Sequence, residues 1–129
     1  LLLLGAVTEI MEAAHKRNIT TSVLDLERQK IGLAFANIAV EQSDAKTLET
    51  LIQKADYIIA TGMIFVTDTA DAFFEMVRKY NKNLILYMET GSNFGEQLLE
   101  HGATTVLSEY FPYYDFYGKT GYSIFKKRG

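Results

Sequence analysis

The chain has 129 residues, 48% of them hydrophobic and 22% charged, with a formal net charge of −3 and no cysteine. These values describe a globular chain able to build a core without covalent staples, and they exclude disulfides and thiolate metal sites. The acidic balance argues against an electrostatic footprint for nucleic acid, and the basic end Lys126-Lys127-Arg128 is too short to reverse it.

A cysteine-free chain fits a reducing, cytoplasmic setting. The apolar start at residues 1–4 is too short to cross a membrane and lacks the basic region of a signal peptide. The chain opens without methionine and in mid-strand. Residues 1–129 are therefore expected to be a single Rossmann-like domain cut from a longer protein that carries a further N-terminal domain.

Residues 1–4, all leucine, read as a first strand that leaves its sheet through Gly5. The helix after it, residues 8–17, places Val7, Ile10, Met11 and Ala14 on one side, the spacing of a half-buried helix. Asn18 can end it in a left-handed conformation. Residues 21–26 form a second strand that delivers Asp25 and Glu27 to its carboxyl end. Residues 28–42 are the least readable part. Within them residues 31–40 are apolar, with no charge and no firm period, and leave three options open: an extra strand, a short helix, or a lid covering a pocket or partner surface.

Ser43 is expected to cap a helix whose buried stripe is Ala45, Leu48, Leu51, Ile52 and Ala55. Residues 57–60 are a short, β-branched apolar run and read as a central parallel strand ending at Thr61-Gly62. Thr67-Asp68-Thr69 has the residue types that cap a helix, here residues 68–80 with Ala70, Phe73, Phe74, Val77 and Tyr80 inward. A strand at 84–88 runs into Glu89-Thr90-Gly91-Ser92. A short helix at 93–101 stops at Gly102, and another strand follows at 104–107. The aromatic-rich end, residues 110–125, packs over the sheet edge, makes an interface or stacks a ligand. It closes on a strand at 122–125 that is expected to lie antiparallel at the edge.

Strands alternating with helices imply an α/β fold: a three-layer Rossmann-like domain with a mainly parallel sheet of five or six strands. The long connection between the second strand and the 57–60 strand suits a chain that crosses back over the first strand. The topological switch then falls between residues 1–4 and 57–60, and ligands bind outside the carboxyl ends of strands at such a switch.

Two candidate sites follow. Thr61, Gly62, Thr67, Asp68, Thr69, Glu89, Thr90, Gly91 and Ser92 form turns whose N–H groups and hydroxyls suit an anion. Gly5, Asp25 and Glu27 form the second site. Gly5 stands where a dinucleotide loop would be, and Asp25 lies about twenty residues on, the spacing of a ribose-binding acid. Only one glycine of that loop pattern is present. Asp25, Glu27, Asp68, Glu89 and Glu109 could offer oxygen ligands to a hard cation, and Met63 and Met88 are weak thioether candidates. His15 and His101 fall in last helical turns, on the opposite edge, where the helix dipole accounts for them. No nucleophile elbow, P-loop or zinc-protease motif occurs.

The stretch Ala55-Asp56, Thr61-Gly62, Val66, Thr69 and Asp71, with Leu99, Glu100 and Gly102 later, resembles the heavy-metal-chelation family of Rossmann-like domains. The likeness covers residues 22–107. In that family the first turn reads Thr-Gly-Thr-Thr-Leu-Val-Asn-Gly-Thr. Here Met63-Ile64 replace Thr-Thr, Thr67-Asp68 replace Asn-Gly, and Glu89-Thr90-Gly91 stands at a Gly-Pro turn. The resemblance implies a domain that follows a smaller α+β domain, with a pocket between the two.

The leading expectation is a binding domain for a small anionic metabolite or cofactor. The alternatives are an S-adenosylmethionine- or nucleotide-dependent enzyme domain, and a structural or assembly domain. Expected partners are a small-molecule ligand and either the N-terminal domain or a second copy, with neither nucleic acid nor membrane. The sequence leaves open the cofactor, any metal and any reaction.

Overall fold

The computed structural model describes residues 1–66, 68–88, 94–109 and 122–128. Its elements run β1 (Leu2–Leu4), α1 (Thr8–Lys16), β2 (Ser22–Asp25), β3 (Ala34–Phe35), β4 (Ile38–Gln42), α2 (Ala45–Lys54) and β5 (Tyr57–Thr61). A single 3-10 turn (Gly62–Phe65) precedes α3 (Ala70–Lys79), β6 (Asn83–Met88), α4 (Gly95–His101), β7 (Thr105–Glu109) and β8 (Tyr122–Lys126).

The strands join in one mixed sheet of order β3-β4-β2-β1-β5-β6-β7-β8. All pairs are parallel except the two at the ends, β3 with β4 and β7 with β8. β1 lies between β2 and β5, pairing Leu3 with Val23 on one side and with Ile59 on the other. The chain therefore builds outward in one direction from β1, crosses back through α2, and builds outward in the other. The expected switch point is present.

The sheet has eight strands, not the five or six expected. The difference is the segment with no firm period, which forms the hairpin β3–β4. Ala36 and Asn37 turn it, both at positive φ (48° and 62°), the conformation that suits the twist of a two-residue hairpin.

Alternation along the strands sorts the core. Leu2, Leu4, Leu24, Ile58, Ala60, Leu84, Leu86 and Val106 face Ile52 of α2, Phe73, Phe74 and Val77 of α3, and Leu98 of α4. Leu3, Val23 and Val40 face the other way, onto Met11 of α1. Helices thus lie on both sides of the sheet. On the α1 side, cover among the described residues stops near Ile59; beyond it Tyr122 and Ile124 are exposed.

The helix ends differ in detail from expectation. Asn18 takes the left-handed conformation (φ 53°) after α1, as its residue type suggests. Asp44, not Ser43, caps α2: its Oδ1 accepts from the N–H groups of Lys46 and Thr47 at 3.1 and 3.0 Å. Ser43 is instead drawn to β2, its N–H donating to the Asp25 carbonyl at 3.1 Å. At α3 the cap position is Thr69, inside the expected capping stretch, and its side chain makes no capping bond. Among the described residues no helix is long and apolar enough to cross a membrane.

Candidate functional site at the β1–β5 crevice

The sheet order brings the tips of β2, β1 and β5 side by side, and the residues that follow them close on one another. Gly5 continues the β1 ladder, donating its N–H to Leu24 O at 2.8 Å. It then turns at φ 97°, which a side chain rarely adopts. A Cβ there would also collide with Thr61 Oγ1. Thr61 can lie this close only because residue 5 is glycine. Its hydroxyl donates to Leu4 O at 3.2 Å and accepts from Met63 N–H at 3.4 Å, so it joins β1 to the 3-10 turn.

Asp25 is the buried acid of this edge, 2% exposed. Its Oδ2 accepts from Ala6 N–H at 2.7 Å and its Oδ1 from Glu27 N–H at 2.9 Å. The carboxylate thus fixes both its own turn and the turn after β1. Lys30 completes the polar group: Nζ lies 3.0 Å from Glu27 Oε1 and 3.7 Å from Asp25 Oδ2. The hydrogen bond to Glu27 holds the Lys30 ammonium above its ordinary range. It outweighs partial desolvation, and the Asp25 charge adds to it.

These residues line a cavity of about 350 Å³ containing Gly5, Asp25, Glu27, Thr61 and Gly62. The two sites read separately from the sequence meet here in part. Lys30 and Tyr87 also line this cavity and were not singled out. Lys30 stands three residues after Glu27, an ion-pair spacing hidden inside the least readable part.

The remaining candidates separate. Thr69 lines a second cavity of about 190 Å³ between α2 and α3. Asp68 is exposed and lines neither. Thr67, Glu89, Thr90, Gly91 and Ser92 lie outside the described residues, as do residues 110–121 of the aromatic-rich end. Glu109 is 8% exposed at the end of β7, not in the cavity. His15 and His101 occupy last helical turns. Among the described residues no three His, Asp or Glu side chains are grouped to hold a metal ion.

No protein-family model matches the chain, and no curated protein matches it. Solved structures similar to it include the following two. A protein of unknown function from the DUF364 family of Desulfitobacterium hafniense superposes with a TM-score of 0.66 at 15% identity, over 98% of this chain and 52% of its own. RSP, a Rex-family repressor, gives 0.49 at 15% identity, over 69% of this chain and 44% of its own. The first likeness shows a shared α/β fold. The chain spans about half the length of that protein.

Proposed function

We propose that this chain is a small-molecule-binding domain whose ligand enters the crevice at the carboxyl ends of β2, β1 and β5. The observation that carries the proposal is the cavity itself. It lies at the topological switch point, its volume falls in the usual range for ligand pockets, and polar groups from three strand ends converge on it. The charges around the cavity do not favour the anionic ligand expected from the sequence. Lys30 is already paired with Glu27 and near Asp25, so two carboxylates surround one ammonium.

The test is a thermal-shift screen of nucleosides, S-adenosylmethionine, pterins, amines and small carboxylates. A ligand that binds only the folded chain raises the melting temperature with its concentration over Kd. At least one class is expected to do so, with the shift reduced by Glu27→Ala. A panel with no effect, or a shift indifferent to Glu27, would overturn the proposal.

A second reading, an S-adenosylmethionine- or nucleotide-dependent enzyme domain, is favoured by one feature. Asp25 ends β2 beside the first turn, where such folds place a ribose-binding acid. Heavy-metal chelation receives no support from the described residues and is not part of the proposal.

A further inference from the structure

The crevice cavity borders a second cavity. Leu26 and Met63 line it on one side and line the second cavity on the other. The second cavity runs between α2 and α3 and is walled by Leu48, Ile64, Phe73 and Met76. Its apolar character follows from the fold. It is the carboxyl-edge end of the packed layer that holds Leu4, Ile64 and Phe73. Leu26, at its boundary with the polar cavity, is 39% exposed although it follows a buried strand. A large apolar side chain left in the open between two cavities gains by being covered.

The polar end is selective in a different way. A phosphate on the turn after β1 would need the free N–H groups of that turn. Here the Ala6 N–H is already given to Asp25, a carboxylate that would also repel a second anion. A carboxylate offers about four acceptor sites, and the two N–H groups use about half of them. Glu27, whose side chain is 64% exposed, places a second carboxylate at the mouth. With the Lys30 ammonium on the same wall already donating to Glu27, what the wall still asks for is hydrogen-bond donors.

Resting on the small-molecule reading above, we propose that the ligand is a donor-headed amphiphile. A hydroxyl-bearing or amino head meets Glu27 and the edge of Asp25, and an apolar ring or chain crosses Leu26 and Met63 into the second cavity. No phosphate sits on the first turn.

The experiment is titration calorimetry on the intact chain with four probes: adenosine, 2-phenylethylamine, ribose and adenosine 5′-monophosphate. Adenosine or 2-phenylethylamine is expected to bind at least tenfold more tightly than ribose, with no gain from adding the phosphate. Ala72 and Ala45 line the second cavity from α3 and α2 and are both exposed, so a large side chain at either can fill it without entering the core. Ala72→Trp, with Ala45→Trp as its independent counterpart, is expected to cut amphiphile binding at least tenfold while leaving the melting temperature close to that of the parent.

Three results would overturn the inference while leaving the crevice proposal standing: ribose equal to the amphiphiles, the monophosphate tenfold tighter than adenosine, or both tryptophan variants binding as the parent does. Failure of both amphiphiles while a carboxylate from the wider panel binds would do the same. If nothing in either set binds, both proposals fall.

Discussion

Asp25 Oδ2 lies 2.7 Å from the Ala6 nitrogen, so a carboxylate at the end of β2 closes the turn after β1. The same side chain accepts from the Glu27 N–H at 2.9 Å. It is 2% exposed, so both bonds are made to a carboxylate largely withdrawn from water. Hydrogen bonds to a charged group are the stronger kind, and unsatisfied buried donors are costly. Asp25→Ala is expected to destabilise the fold by about 3 kcal/mol. Asp25→Asn, which keeps one acceptor, should cost roughly half of that. Urea denaturation of the three proteins checks both. Because Asp25 holds the fold, lost ligand binding in Asp25→Ala does not identify a ligand contact. Glu27, at the mouth and exposed, is the cleaner position to change.

Gly5 and Thr61 form the second tight relationship at this edge. Gly5→Ala places a methyl against the Thr61 hydroxyl and a side chain at φ 97°. The two penalties are separable. The single change should cost about 2 kcal/mol or more, since alanine is substituted where φ is positive and the space is filled. In the pair with Thr61→Ala the steric part is relieved and the backbone part stays. The double variant should therefore be more stable than the sum of the single losses implies. Equilibrium unfolding of the four-protein cycle measures the coupling. Strict additivity would show that Thr61 is not what requires glycine at position 5.

Much of this arrangement is legible in the residues. The four leucines before Gly5 and the β-branched run before Thr61-Gly62 identify the two strands of the switch. The long path from β2 to β5 then orders them around it. Legibility fails where the signal is conformational. The β3–β4 hairpin turns on Ala36-Asn37, and alanine at positive φ carries none of the usual hairpin signature of asparagine or aspartate followed by glycine. Ser43 and Asp44 are both good cap types, and only the path of the chain, which ties Ser43 N–H to β2, decides between them. Lys30 belongs to the cavity because the loop after β2 folds back over its strand end. That is a tertiary fact without a local pattern.

The sorting of the sheet faces makes a stability prediction with a built-in control. Phe73 is 1% exposed and packs beneath α3 against the main core. Ile124 on β8 is 60% exposed. Phe73→Ala is expected to cost about 3–5 kcal/mol, the usual range for removing a large aromatic side chain from a core. Ile124→Ala should change stability by less than about 0.5 kcal/mol. Chemical denaturation of both variants tests the assignment of faces. A large loss at Ile124 would mean that this side of the sheet is covered in solution.

The last prediction concerns the start of α2. Hydrogen bonds from the Thr47 hydroxyl and then from its backbone N–H hold the Asp44 carboxyl below its ordinary value of 3.8. A carboxylate depressed in the folded state adds stability above its unfolded value and loses that contribution as pH falls through the folded one. Asp44→Ala should therefore melt a few degrees below the parent at neutral pH. The gap should persist to mildly acidic pH and close only as pH drops below the ordinary carboxylate range. Asparagine caps helices about as well as aspartate and does not titrate there, so Asp44→Asn should keep its cap throughout. Circular-dichroism melts of the three proteins across that pH series check the sign. A gap between parent and Asp44→Ala that widened on acidification would contradict the role given to this carboxylate.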